Sequence, residues 1–229
     1  MKVSINQPAY LPWLGYFDRI AKSDTHIVLD HVQFEKNSMT NRNKINTNQL
    51  PCLLTVPVAT SGKFGHLAIN EVNIKNQLAW QRKHWNSIYF NYKKSPYFSM
   101  YEEQLYSCYH REWGLLGELL RWQLEFFLAA LKIDTPIVYS STLGCQHRKS
   151  ELIIELCQKQ KATSYLSGPF GRDYLDKDAF DINNINLEYH DYIHPEYKQH
   201  LTSKGFESHL SVLDLLFNHG GNSATILMT

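Results

Sequence analysis

The chain has 229 residues, 43% of them hydrophobic, and its 23 basic and 22 acidic side chains leave a formal charge of +1. That is ample apolar material for a core, and too even a charge balance to recruit nucleic acid or an anionic membrane through a global field. Cys52, Cys108, Cys145 and Cys157 are widely spaced with no zinc-type pattern, no 18-residue apolar run occurs, and the N-terminus has no secretory pattern, so the expectation is a cytoplasmic protein with reduced thiols and no membrane contact.

Lys2 to Asn6 alternates Val and Ile as a strand does, and Pro8 ends it because proline cannot donate to a sheet ladder. Leu14, Phe17, Ile20 and Ala21 recur at helical spacing, and His26 to Asp30 reads as a second strand. A strand, helix and strand this close together predict a parallel pair with a right-handed crossover. The turn from Gln7 to Trp13 and the strand end at Asp30, His31 and Gln33 then share the carboxyl edge, where open α/β sheets bind ligands.

The polar stretch after Asp30 reads as a loop, in which Asn41, Arg42 and Asn43 form either a clamp for phosphate or carboxylate or a solvated tip. Leu50 to Val58 predicts a buried strand with Pro57 at an edge, Thr60 to Gly65 a turn, and Ile69 to Ile74 another strand. Helices are predicted over Gln77 to Phe90, from Pro96 to about Tyr109, and over Trp113 to Leu131; their aromatics suit packing more than a cofactor box.

Ile133 to Ser140, Lys149 to Gln160 and Ser164 to Leu166 make a second strand, helix and strand unit. Its turns offer Arg148, Ser167, Gly168 and Arg172 as anion contacts across a crevice from the first unit. Ile185 to Tyr192 predicts a late strand. His190, His194 and His200 lack the spacing of a helical metal pair, so no metal site is expected. Ser208 to Asn218 is a helix capped by Ser208 or Ser211 and ended by Gly220 and Gly221, with Asp214 exposed or paired. The whole predicts one domain over 1–229, an α/β Rossmann-like, doubly wound and mostly parallel sheet with an inserted helical segment around 77–132.

No phosphate loop, GxGxxG turn, GxSxG elbow or HExxH helix is present. Cys145 beside Gln146 and His147 is the best-placed thiol, although sequence neighbours rarely act on each other. What remains is a rim of Gln7, Tyr10, Trp13, Asp30, Gln33, Asn41, Arg42 and Asn43, faced by Ser167 and Gly168. Amides and arginine recognise hydroxyls and phosphates, aromatic faces stack on sugars or bases, and Asp30 or His31 is the candidate base. This combination suits a sugar nucleotide.

Five stretches, Gln7 to Phe17, Asp30 to Phe34, Asn41 to Asn43, Tyr165 to Gly168 and Ser211 to Asn218, in this order from one end of the chain to the other, resemble the WbqC-like protein family of bacteria. The resemblance implies a role in O-antigen or related surface-sugar biosynthesis, through acyl or aminoacyl transfer to a nucleotide-linked amino sugar. The co-substrate is left open, with acyl-CoA and ATP as the candidates, and so is the oligomeric state, a homo-oligomer included. The first unit is also similar to that of the nucleotidyltransferase and pantothenate-synthetase superfamily, with Trp13 and Tyr16 standing where the two histidines of its HxGH motif would be. An ATP-dependent ligase and a non-catalytic sugar-nucleotide-binding protein are therefore the alternative expectations.

Overall fold

The computed structural model describes residues 1–60, 67–201 and 205–228. The predicted first unit forms as β1 (Lys2–Asn6), α1 (Leu14–Ala21) and β2 (Thr25–Val28), with β1 and β2 parallel and Ser4 opposite His26. Strand alternation divides their side chains between the two faces of the sheet. Val3, Ile5 and Ile27 join one cluster with Leu152, Leu156 and Phe180, whereas Val28 packs on the other face with Phe17 and Leu14 of α1.

The chain then leaves the sheet. β3 (Arg42–Ile45) and β4 (Cys52–Thr55) form an antiparallel pair, and α2 (Trp80–Tyr92), α3 (Phe98–His110) and α4 (Leu116–Leu131) make the inserted helical segment. Its Trp80, Trp85, Ile88, Leu105, Leu119 and Phe127 belong to the same cluster as α1. The chain returns through β5 (Ile137–Tyr139), α5 (Lys149–Lys159), β6 (Ser164–Ser167), α6 (Lys177–Ile182) and β7 (Asn186–Tyr189), and finishes with α7 (Val212–His219) and α8 (Ser223–Leu227).

All neighbours in the main sheet are parallel, in the order β5-β2-β1-β6-β7. The chain winds outward from β1 to β5, crosses back over the sheet, and winds outward again from β6. The order reverses between β1 and β6, and this is the Rossmann-like α/β architecture expected. No helix among the described residues is long and apolar enough to cross a membrane.

Several elements differ from expectation. Arg42 to Ile45, within the expected loop, is a strand, because β4 supplies a partner for it. Leu50 to Val58 forms a strand only over Cys52–Thr55, where Leu54 is buried and Leu53 exposed, so one face is open rather than both covered. Ile69 to Ile74 is a 3-10 turn at Ile69–Glu71 followed by isolated bridges from Asn73 to Leu115 and from Ile74 to Val58. Its buried residues Ile69, Val72 and Ile74 do not keep a two-residue period. The turn expected at Thr60 to Gly65 lies, after Thr60, outside the described residues.

Candidate functional site

The turn between β1 and α1 is braced by neighbouring elements on several sides. Leu11 is left-handed, with φ at 45°, which is rare for a branched side chain. Its N–H donates to Gln123 Oε1 at 3.0 Å and its carbonyl accepts from Asn43 Nδ2 at 2.6 Å. The Tyr10 hydroxyl is bonded to His84 Nδ1 and to the Tyr109 hydroxyl, each at 2.7 Å. Val212 N–H donates to the Pro12 carbonyl at 2.9 Å, and Tyr10 N–H to the Met39 carbonyl at 3.0 Å. Buried polar groups from α2, α3, α4, α7 and β3 thus hold the turn that borders the reversal point.

Two crevices open on either side of that turn and share Pro8, Ala9 and Tyr16 as a wall. The first, of about 340 Å³, lies at the reversal point between Gln7 after β1 and Gly168 after β6, with Trp13, Arg19, Phe170 and Tyr174 around it. The Trp13 indole lies over Gly15 so closely that a Cβ there would collide with it, and it meets the Tyr192 and His209 rings. Ligands of open α/β sheets bind at such reversals.

The second crevice, of about 250 Å³, lies over the ends of β2 and β5 and is lined by Asp30, Asn70, Arg121, Tyr139 and Ser141. The Arg121 guanidinium stacks 3.8 Å over the Tyr139 ring. Asn70 Oδ1 is enclosed and has no partner among the described residues, which leaves an acceptor for a polar ligand to satisfy.

Asp30 is well bound. Its Oδ1 accepts from Ser140 Oγ at 3.0 Å and Ser141 N–H at 2.8 Å, and its Oδ2 from Ser141 Oγ at 2.7 Å. Ser140 Oγ also accepts from the Asp30 N–H at 3.1 Å and lies 2.6 Å from His31 Nδ1. With its proton committed to Asp30, Ser140 accepts from His31, which puts the imidazole proton on Nδ1 and leaves Nε2 with its lone pair. His31 faces a third crevice of about 550 Å³, shared with Gln33, Glu71, Cys145 and His147.

The sequence-derived site residues are therefore distributed. Gln7, Trp13 and Gly168 meet at the first crevice, Asp30 lines the second, and His31 and Gln33 line the third. Tyr10, Asn41 and Asn43 are buried and line none of these three: Asn41 Nδ2 donates to the Val56 carbonyl at 2.9 Å, and the other two brace the turn. Arg42 sits on β3 opposite Thr55 and lines neither of the first two crevices. Ser167 is buried, with Oγ donating to the Gly168 carbonyl at 3.1 Å. Of the other expected anion contacts, Arg172 is engaged by Asp191 at 2.8 and 2.9 Å, and Arg148 lines the third crevice.

Cys145 is half-buried, its thiol raised above the usual range by burial and by the Glu155 charge, while His147 pairs with Glu155 at 3.1 Å instead. Arg19, Asn70, Arg121 and Tyr139 were not singled out by their local sequence. Each lies on a helix, turn or strand whose pattern is explained by packing, and only the fold turns it toward a crevice.

The model of the WbqC-like protein family matches residues 7–226. An uncharacterized protein of Mycobacterium tuberculosis is 38% identical over 231 residues, covering 99% of this chain and 97% of the relative. No solved structure matches the chain.

Proposed function

Because the chain belongs to the WbqC-like protein family, we propose that it is a transferase that modifies a nucleotide-linked amino sugar by acyl or aminoacyl transfer, in the biosynthesis of bacterial surface polysaccharide such as O-antigen. The observation that carries this reading is the chain of hydrogen bonds from His31 through Ser140 to Asp30 at the carboxyl rim of the sheet. His31 Nε2 is the base: it takes the proton from the sugar amine as the nitrogen attacks the donor carbonyl, and returns it to the departing group. Asp30 acts through Ser140 by fixing which imidazole nitrogen is protonated, as orienting groups do for other histidine bases. Gln33, Glu71 and Arg148, which line the third crevice with His31, offer polar contacts to the sugar.

The test is to mix purified protein with UDP- and dTDP-amino sugars and an acyl-CoA, or a carboxylic acid with ATP, and to follow product mass. Transfer that falls by roughly 10²–10⁴-fold in His31→Gln supports the reading. Sugar nucleotides that bind without turnover in any combination would make the chain a binding protein. A second reading is ATP-dependent ligation at the reversal point, where Trp13 and Tyr16 stand in place of the two histidines of the HxGH motif, and release of AMP or ADP in the same assay identifies it.

A further inference from the structure

α1 carries one side chain that packing does not explain. Arg19 projects from its last turn into the first crevice, where its Nε is enclosed without a partner. Its guanidinium forms no ion pair and no hydrogen bond with any described residue. Asp18, next in the chain, is committed elsewhere, to His190 and Lys22. The groups around Arg19 are neutral: Tyr16, Tyr165 and Tyr174 share the crevice, and nearby His26 is pushed down to about 3 by its burial and by the Arg19 charge. Burial also lowers the arginine's own pKa.

The segment opposite is shaped around this cation. At Gly168, just past β6, a Cβ would run into Nη1 of Arg19, so the guanidinium lies directly against that backbone. Two residues on, Phe170 holds its ring 78% exposed at the lip of the crevice, with the exposed Tyr174 ring beside it. An enclosed cation without a counter-charge destabilises a fold, and exposed aromatic rings beside it add nothing to a core. Local violations of this kind collect at binding sites.

We infer that Arg19 is the phosphate-binding residue of the crevice at the reversal point, and that its ligand is a nucleotide whose base or sugar lies against the aromatic lip of Phe170 and Tyr174. The guanidinium fork matches two phosphate oxygens at once, and the missing counter-charge arrives with the ligand. This inference rests on the ligand class of the function proposed above but not on its transfer chemistry.

Thermal-shift and calorimetric titrations with inorganic pyrophosphate, UDP, ATP and uridine test it on the wild type, Arg19→Lys and Arg19→Met. Pyrophosphate and at least one nucleotide are expected to stabilise the wild type while uridine does not, with Arg19→Met weakening them by about 10- to 100-fold and Arg19→Lys by less. Unliganded Arg19→Met is expected to melt at or above the wild-type temperature, because it removes a charge that has no partner. The inference is overturned if no phosphate compound binds, if uridine matches UDP, if Arg19→Met binds as the wild type does, or if that variant melts lower. Phosphate binding through Arg19 without any group transfer removes the transfer chemistry and keeps this site; transfer with an unchanged KM in Arg19→Met does the reverse.

Discussion

His190 Nε2 donates to Asp18 Oδ2 across 2.5 Å, joining α1 to the segment after β7 through a pair whose side chains are almost wholly enclosed. Burial opposes the Asp18 charge, but the hydrogen bonds from His190 and Lys22 outweigh it and hold the carboxyl below its usual range. A depressed carboxyl pKa adds stability that is complete above the unfolded-state value of 3.8 and is lost as pH falls through the lower, folded value. Asp18→Ala is expected to lose about 2–3 kcal/mol at neutral pH. Its unfolding free energy should also decline less than the wild type's as pH falls below 3.8, as urea titrations across pH 2.5 to 6 would show.

Ser140 is the joint between the proposed base and its orienting carboxylate. Ser140→Ala removes the acceptor of His31 Nδ1 and one of three donors to Asp30, while Ser141 keeps the other two. The expected result is a kcat at least about tenfold lower with KM little changed, a fraction of what a positioned base supplies. A variant in which KM rises and kcat holds would make Ser140 a substrate contact instead.

Tyr10 shows why residue type alone misplaces a site residue. From the sequence it reads as a rim aromatic, but its hydroxyl bonds His84 and Tyr109 inside the core. Tyr10→Phe is expected to lower stability by about 1–2 kcal/mol, because it leaves two enclosed polar groups short of a partner. Chemical denaturation measures this, and a neutral result would mean that water replaces the hydroxyl.

The sheet was legible because its cues are local. Val3 and Ile5 alternate in β1, α1 keeps a helical apolar period, and Ser211 caps α7 where expected, its Oγ accepting from Leu213 N–H. The doubling of the unit around residues 133–167 was enough to predict the crevice. The helix α6 was missed, although Asp176 caps it in the ordinary way, because six residues give too short a period to read. The site was less legible, since its decisive facts are long-range. Nothing near Arg19 in sequence says that it lacks a counter-ion, and nothing near Asn43 says that it holds the Leu11 carbonyl rather than a ligand.

The two most enclosed histidines make the fold acid-sensitive well above the Asp18 range. Burial, aided by the Arg19 charge, pushes His26 down to about 3, and burial pushes His84 down to about 4, from 6.5. The folded protein therefore keeps both rings neutral where the unfolded chain protonates them. Between 6.5 and these lower values the unfolded state binds more protons, so stability rises with pH and falls as the solution is acidified. Each histidine adds a slope of up to about 1.4 kcal/mol per pH unit in that window. Among the described residues the His26 side chain bonds only Ser4, at 2.8 Å, so the double variant Ser4→Ala with His26→Leu removes this titration without orphaning a partner. Urea unfolding between pH 4 and 7 should show the double variant losing about one proton's worth of slope relative to the wild type. An unchanged slope would mean that His26 is charged in the folded state, and that Arg19 has a counter-charge nearby.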